Sequence, residues 1–375
     1  MKSRERVLRI LNHQEADRVP IDFGGTIVSS IHAIANERLK QYLGINAPPE
    51  PVIDQVQGIV APCEEILKQF KVDFRRVALR PSATWRPTIF PDGSFLDEYG
   101  VHRRKAGYYY DIVEYPLAHA ETISDIEKHP WPDPYDPSRV AGLTDEARDL
   151  YENSDYALIG DMFMGGIFEQ CIRVRGYEQF LVDMMTNRSF AEALLDKFLE
   201  LYMGFYDIFL KATGKYLQIV ALADDLGMQD RPLISPALYR EIVKPRHKKL
   251  YQYIKSRTDA KILHHSCGAI FPLIDDLIEV GVDILNPIQT SAVNMDLAII
   301  KEKYGDHLVF HGGIDIQQIL PSEETSKVEQ EVARVIKIMA PGGGFILAPG
   351  HNIQPDTKPE NIVALFRAAY KYGTY

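Results

Sequence analysis

Ala260-Lys261-Ile262-Leu263-His264-His265-Ser266-Cys267-Gly268 is a short apolar run that ends abruptly in imidazole, thiol and glycine. A run of this length between turn signals suits a buried strand, and the glycine suits a sharp exit from it. Polar groups delivered at the end of a strand are what a parallel barrel arranges around its mouth. His265 and Cys267 are two apart, so on a strand they point to the same face. One imidazole and one thiolate converging in this way suit Zn²⁺.

Seven other segments repeat the pattern, at 19–23, 76–79, 157–161, 218–223, 283–286, 308–311 and 345–348. Between them lie helix-period stretches at 31–43, 64–70, 177–212, 236–256, 270–280, 296–303 and 325–338. Ser235 precedes Pro236 as a cap before a first-turn proline. Strand–helix alternation with eight strands predicts an α/β fold, a (β/α)₈ TIM barrel, with 1–375 as a single domain. A doubly wound open sheet is the competing architecture, and the count of eight favours the barrel. Residues 81–150 break the rhythm with Pro-rich, aromatic and turn-like pieces. Pro91-Asp92-Gly93 reads as a hairpin turn there. We expect an insertion after strand two, either a cap over the barrel mouth or a surface excursion without a role.

The C-terminal strand ends carry the active site of such barrels. Here they offer Asp22 with Gly24-Gly25, Arg80, Asp161, Asp224-Asp225, His265 with Cys267, Asn286 with Gln289, His311 with Gly312-Gly313, and His351. Stability alone does not account for this, because a buried polar group is costly unless paired or coordinated. Each has a plainer reading. Cys63 and Cys171 read as small buried hydrophobes. Asp224-Asp225 reads either as a helix cap with a solvated neighbour or as a carboxylate facing the mouth. Gly312-Gly313 serves a tight turn or a close approach of ligand. Pro349-Gly350-His351 reads as a sharp exit that exposes His351. Two His and one Cys make three zinc ligands and leave the open position that a catalytic zinc requires. Zinc there would ionise a substrate thiol or polarise an oxygen, which fits group transfer better than redox chemistry.

Composition sets the boundaries. A formal charge of −10 leaves no basic footprint for nucleic acid and disfavours an anionic membrane surface. No apolar run approaches a membrane span. The opening Met1-Lys2-Ser3-Arg4-Glu5-Arg6 has no apolar core of a signal peptide, and three scattered cysteines make no disulfide framework. A cytoplasmic protein is the expectation. We find no P-loop and no Gly-x-Gly-x-x-Gly after a strand.

Several motifs, taken together and in order, resemble the uroporphyrinogen decarboxylase superfamily. They are Arg6-Val7-Leu8 with Asp17-Arg18-Val19-Pro20, Ala223-Asp224-Asp225-Leu226-Gly227 with Ser235-Pro236, and His265-Ser266-Cys267-Gly268. Gly281 to Gln289, His311-Gly312-Gly313-Ile314-Asp315 and Pro349-Gly350-His351-Asn352-Ile353 continue the match, followed by Pro359-Glu360-Asn361-Ile362. The resemblance implies a (β/α)₈ barrel. Its true decarboxylases need arginines after the first strand to grip porphyrinogen carboxylates. This chain has Gly24-Gly25-Thr26-Ile27-Val28-Ser29-Ser30 there, without arginine.

The resemblance therefore points to the branch of zinc-dependent methyltransferases, which exchange methyl groups with the cobalamin of a small corrinoid protein. That branch uses His-x-Cys and a later Cys. His265 and Cys267 match the first two, and His351 stands in the place of the last. Asp224 or Glu169 is the alternative for completing the shell. The resemblance assigns metal binding to His265, Cys267 and His351, catalytic roles to Asp224 and His311, and substrate binding to Asn286, Gln289 and Asp161. It implies Zn²⁺, a corrinoid protein as partner, and a small methyl donor or acceptor such as a thiol, a pterin or a methoxylated compound. It leaves a homodimer open. Two other functions remain: a lyase acting on a carboxylated substrate, and a non-catalytic binder of a corrinoid or tetrapyrrole.

Overall fold

The computed structural model describes residues 1–163 and 165–375. Seven parallel strands form one sheet: Phe74–Val77, Ala157–Gly160, Ile219–Ala223, Lys261–His265, Ile284–Asn286, Val309–Ile314 and Phe345–Pro349. Each pairs with its neighbour in chain order. The eighth place belongs to the segment expected at 19–23, which is too short to count as a strand. It nevertheless bonds on both sides. The Asp22 amide donates to Leu347 O and the Leu347 amide to Pro20 O, both at 2.9 Å, while the Asp73 amide donates to Ile21 O at 2.9 Å. These bonds close the barrel.

Alternation along the strands separates two cores. Leu158, Val220, Ile262, Leu285, Phe310 and Leu347 face outward into a shell of helices. Phe74, Ile159, Ala221, Leu263, Ile284, Val309 and Ile346 belong to a separate cluster that fills the lumen. Val7, Ile10 and Leu11 of the helix Ser3–Leu11 join that cluster and plug the lumen. A buried ion-pair latch holds the plug. Asp73 receives Arg6 Nη1 at 2.7 Å, Arg18 Nη1 at 2.8 Å, Ser3 Oγ at 2.8 Å and the Ile21 amide at 2.8 Å. Asp17 binds Arg6 through both oxygens, which holds its carboxyl down at about 2. The opening motif Arg6, Asp17, Arg18 is therefore the latch between plug helix and barrel.

The sequence expectations differ from the structure at several places. The expected strand at 76–79 lies two residues earlier, at Phe74–Val77. The expected helix at 177–212 is two helices, Tyr177–Thr186 and Arg188–Thr213, broken at Asn187. The plug helix Ser3–Leu11, the helix Ile167–Arg175 and the helix Pro359–Tyr372 were not among the expected stretches. Ser235 Oγ accepts the Leu238 amide at 3.2 Å, as a cap does.

The 81–150 segment contains a four-stranded antiparallel sheet, Thr88–Ile89, Phe95–Leu96, His102–Ala106 and Tyr109–Glu114, and ends within the barrel helix Leu143–Asn153. Pro91-Asp92-Gly93 makes the first hairpin turn, with Gly93 in the left-handed region at φ 82°. The sheet leans on the mouth loops. The Tyr110 amide donates to Val56 O, and Tyr109 Oη donates to Gln354 Oε1 in the loop that carries His351. No helix among the described residues is long and apolar enough to cross a membrane.

Candidate metal centre

Above the apolar lumen the same alternation brings up polar side chains. Two residues beyond Phe74, Ile159, Leu263, Ile284 and Val309 come Arg76, Asp161, His265, Asn286 and His311. Ala223, His265 and Asn286 stand in register across adjacent strands. Three of these side chains form a directed chain with Asp22. His311 Nε2 lies 2.9 Å from Asp22 Oδ2, Asn286 Nδ2 lies 2.7 Å from His311 Nδ1, and His265 Nδ1 lies 2.5 Å from Asn286 Oδ1. All four residues are buried.

The Asp22 carboxylate only accepts, so His311 Nε2 carries a proton, and Nδ1 accepts from the Asn286 amide nitrogen. The Asn286 amide must then present NH₂ to His311 and oxygen to His265. His265 therefore holds its proton on Nδ1 and bares the Nε2 lone pair. This is how an outer hydrogen bond fixes the tautomer of a metal-binding histidine. Gly25 makes the anchor possible. Its amide donates to Asp22 Oδ1 at 3.0 Å, and a Cβ there would sit 2.4 Å from that oxygen.

The bared Nε2 faces Cys267 Sγ at 3.4 Å. One ligand atom each from His265, Cys267 and His351 lie within 4.8 Å of one another. Cys267 is held by its amide, which donates to Asp225 Oδ1 at 2.8 Å, and by Gly268, whose φ of 87° turns the chain sharply. Gly227 and Gly268 let the two neighbouring loops touch, because a Cβ on Gly227 would meet Cys267 O at 2.5 Å. His351 follows the strand Phe345–Pro349, where the Gly350 amide donates to Ile314 O at 2.7 Å.

The electrostatics of the cluster fit a cation. Burial pushes the Cys267 thiol well above its ordinary range, and the Asp225 and Glu169 carboxylates push the same way. Burial, with His265 beside it, pulls His351 down to about 4, so its ring is neutral and able to ligate. The His265 Nε2 lone pair, the neutral His351 ring and a thiol that needs a positive neighbour to ionise make a zinc donor set.

The other candidate residues take different places. Asp224 faces away from the cluster. It accepts the Phe168 and Glu169 amides, each at 2.8 Å, and lies 2.8 Å from His247 Nε2, so it caps the helix Ile167–Arg175. The carboxylate beside the cluster is Asp225, 3.8 Å from His265 Nε2. Asn286 and His311 spend their hydrogen bonds on the relay rather than on the space above it. Gln289 accepts the Gly268 amide at 2.8 Å and donates to Gln229 at 3.1 Å. Asp161 binds Arg76 Nε at 2.5 Å and accepts the Ile27 and Met162 amides. Glu169 pairs with Arg173, yet burial, with Asp225 and Asp224 nearby, pushes its carboxyl up to about 7. Sequence reasoning missed the parts played by Arg76 and Asp225. Counting inward from Phe74 to Arg76 would have found the first once the strand began at Phe74.

Cys267 and His351 line one side of a cavity of about 290 Å³. Gln289, Ser291 and Asp315 also line it, with Met228 and Ile316 as apolar walls. The loop that would carry arginines in a porphyrinogen decarboxylase instead sends Ile27 and Val28 onto the lumen cluster.

Residues 108–372 match the family model described as uroporphyrinogen decarboxylase (URO-D). The chain belongs to the uroporphyrinogen decarboxylase family. Its relatives include a methylcobamide:CoM methyltransferase, MtaA, of Methanosarcina barkeri, 27% identical over 198 residues, 51% of this chain and 54% of the relative. They also include a uroporphyrinogen decarboxylase of Thermus thermophilus, 28% identical over 156 residues, 40% of this chain and 43% of that protein. The chain thus spans about half the length of these curated relatives. In fold it is similar to a methyltransferase from Methanosarcina mazei, with a TM-score of 0.68 at 18% identity over 99% of both chains.

Proposed function

We propose that this chain is a zinc-dependent methyltransferase that exchanges a methyl group between a small molecule and the cobalamin of a corrinoid protein. The observation that carries the reading is the convergence of His265 Nε2, Cys267 Sγ and His351, with the His265 lone pair oriented by the Asp22–His311–Asn286 relay. Three protein ligands leave a fourth position for substrate. Zinc bound there supplies positive charge that lowers a substrate thiol's pKa or polarises an oxygen.

The residues of the chain supply the rest. His265 offers the lone pair of Nε2, and burial keeps the His351 ring neutral. Cys267 would ligate as the thiolate, and the hydrogen bond from its backbone amide to Asp225 holds the residue in place. The relay keeps His265 in one tautomer and one orientation. The cavity of about 290 Å³ is at the lower end of the roughly 300–1,000 Å³ of small-molecule pockets, so it suits a small substrate. A corrin macrocycle would stay at the rim, near the sheet of residues 88–114. The similarity to MtaA of Methanosarcina barkeri supports a thiol acceptor and a corrinoid partner.

The similarity to a decarboxylase favours a second reading, a lyase acting on a carboxylated substrate. The absence of arginine from residues 24–30 weighs against a porphyrinogen. One experiment separates the two. Purified protein should exchange methyl between a thiol and free cobalamin, followed by the colour change of the cofactor, and His265→Ala should abolish the exchange. Release of CO₂ from a porphyrinogen in the presence of a chelator would overturn the proposal.

A further inference from the structure

His265 is oriented by a relay that starts at a carboxylate, and His351 has one of its own, built from different loops. The two rings lie with centroids 5.4 Å apart, tilted at 62°. The second relay starts at Asp54, the buried last residue of the short strand Val52–Asp54. That strand pairs with Ile59–Val60, which pairs in turn with Ile31–His32. Asp54 Oδ1 accepts the Val56 amide at 2.8 Å, and Oδ2 accepts Gln57 Nε2 at 3.0 Å. With its nitrogen spent on Asp54, Gln57 turns Oε1 to Asn352, whose Nδ2 donates at 3.0 Å. A reversed Asn352 amide would set two oxygens face to face, so Asn352 presents Oδ1 on its other side.

A second set of bonds fixes the same orientation. Gln354 Nε2 donates to the Asn352 main-chain oxygen at 2.9 Å and to Asn352 Oδ1 at 2.5 Å. Its own oxygen accepts Tyr109 Oη from the sheet of residues 88–114. The backbone of the loop is pinned separately, by the His32 amide to Ile353 O and the Ile353 amide to Ser30 O, both at 2.9 Å. Asn352 is fully buried and follows His351 directly. Burial pulls the His351 ring down, and a hydrogen bond from the ring to the Asn352 side chain pulls the other way. An amide oxygen has two lone pairs, so Oδ1 takes both Gln354 Nε2 and the ring N–H. His351 then keeps its proton on the nitrogen facing Asn352 and bares the other, which is the state a metal-binding histidine needs.

We infer that Asp54, Gln57 and Asn352 are positioning residues of the metal centre, which hold His351 in one tautomer and one orientation, and that Tyr109 braces them through Gln354. This rests on the reading of His351 as a zinc ligand, but the tautomer belongs to the metal-free chain. It gives the 81–150 segment a part in the site through Tyr109. Both histidines of the cluster are then set from behind, each by a carboxylate acting through amide groups.

The test is nitrogen NMR of the metal-free full-length chain with isotope-labelled histidine, in which the signals lost in His351→Gln are those of His351. The parent should show one His351 tautomer, and Asn352→Leu should show both in exchange. Asn352→Leu should also bind zinc about 10–100-fold more weakly in competition with a chelator, the usual cost of losing an outer partner of a metal ligand. Asn352→Asp keeps an acceptor for the ring and should restore the single tautomer. Gln57→Leu leaves the Gln354 bond in place and should release the tautomer in part; it gives the same reading if Asn352→Leu fails to fold. Tyr109→Phe removes only the brace and should weaken zinc less than Asn352→Leu does. A parent that already shows both tautomers, or variants that keep the parent's single one, overturns the inference. A released tautomer with unchanged zinc affinity also overturns it, because the relay would then serve something other than the metal. A single tautomer that the variants release, in a chain that binds no zinc, supports the relay and overturns the methyltransferase reading.

Discussion

One end of the barrel is filled with hydrocarbon, while the other is lined with imidazole, amide, carboxylate and guanidinium. At the first, Val7, Ile10 and Leu11 close the lumen under Phe74, Ile219 and Val309, and the buried charges of the Asp73 latch lie outside it. At the second, the next inward layer is His265, Asn286, His311, Asp161 and Arg76. The period-two alternation builds both layers from the same strands, so position along the strand alone decides which chemistry a residue joins. The contrast teaches that the apolar end supplies rigidity that the polar end uses. Each polar group of the functional layer is held by another.

That comparison can be broken from either side. The largest effect is expected at the ligand. Cys267→Ser should strip the metal and abolish methyl exchange, while the thermal midpoint of the metal-free protein stays within a few degrees of the parent. Collapse of the fold would show that the polar end also carries stability. Next comes the latch. Asp73→Ala leaves Arg18 buried without its carboxylate and Arg6 with Asp17 alone, and should cost about 3–5 kcal/mol in denaturant unfolding, with zinc affinity unchanged. A loss of zinc in that variant would mean that the two ends are coupled.

The relay should respond more gently. Asp22→Asn leaves one acceptor oxygen for two donors, the Gly25 amide and His311 Nε2, so it loosens His311 and through Asn286 the tautomer of His265. Loss of an outer partner of this kind lowers metal affinity by roughly 10–100-fold, readable by competition with a chelator. An unchanged affinity would leave the relay a purely structural feature. His351→Ala should weaken binding at least as much if the ring is a direct ligand, whereas unchanged affinity with lost activity would make it a hydrogen-bonding residue.

The smallest effect concerns Glu169, whose carboxyl burial raises to about 7. A raised carboxylate favours the protonated form in the fold. Its stability contribution is therefore intact below the ordinary glutamate range and is lost as pH rises through about 7. In metal-free protein, Glu169→Gln should gain stability relative to the parent between pH 5 and pH 8. A difference that does not change with pH would show that Glu169 is ionised throughout.

Much of the polar end was legible in the sequence. His265 and Cys267 announce themselves by spacing, and the strand rhythm locates the mouth. The plug helix was not, because Ser3–Leu11 is a helix whose partner, the lumen, exists only after closure. The eighth strand was placed correctly but is only a few paired residues, since it is held by neighbours on both sides rather than by its own length. Asp224 and Asp225 could not be told apart from adjacency alone. The first turns back to cap the helix Ile167–Arg175, a helix that was not expected, and the second fixes the Cys267 amide. Asn286 read as a group for substrate and His311 as a catalytic one, whereas their hydrogen bonds place them one behind the other behind His265.

In the proposed site His265, Cys267 and His351 bind zinc with an open fourth place. X-ray absorption of the zinc-loaded protein tests it directly. The account predicts about one zinc per chain with one sulfur at roughly 2.3 Å and two imidazole nitrogens at roughly 2.0–2.1 Å, and a second sulfur when a thiol substrate is added. A chain that binds no zinc, or binds it through oxygen alone, would contradict it.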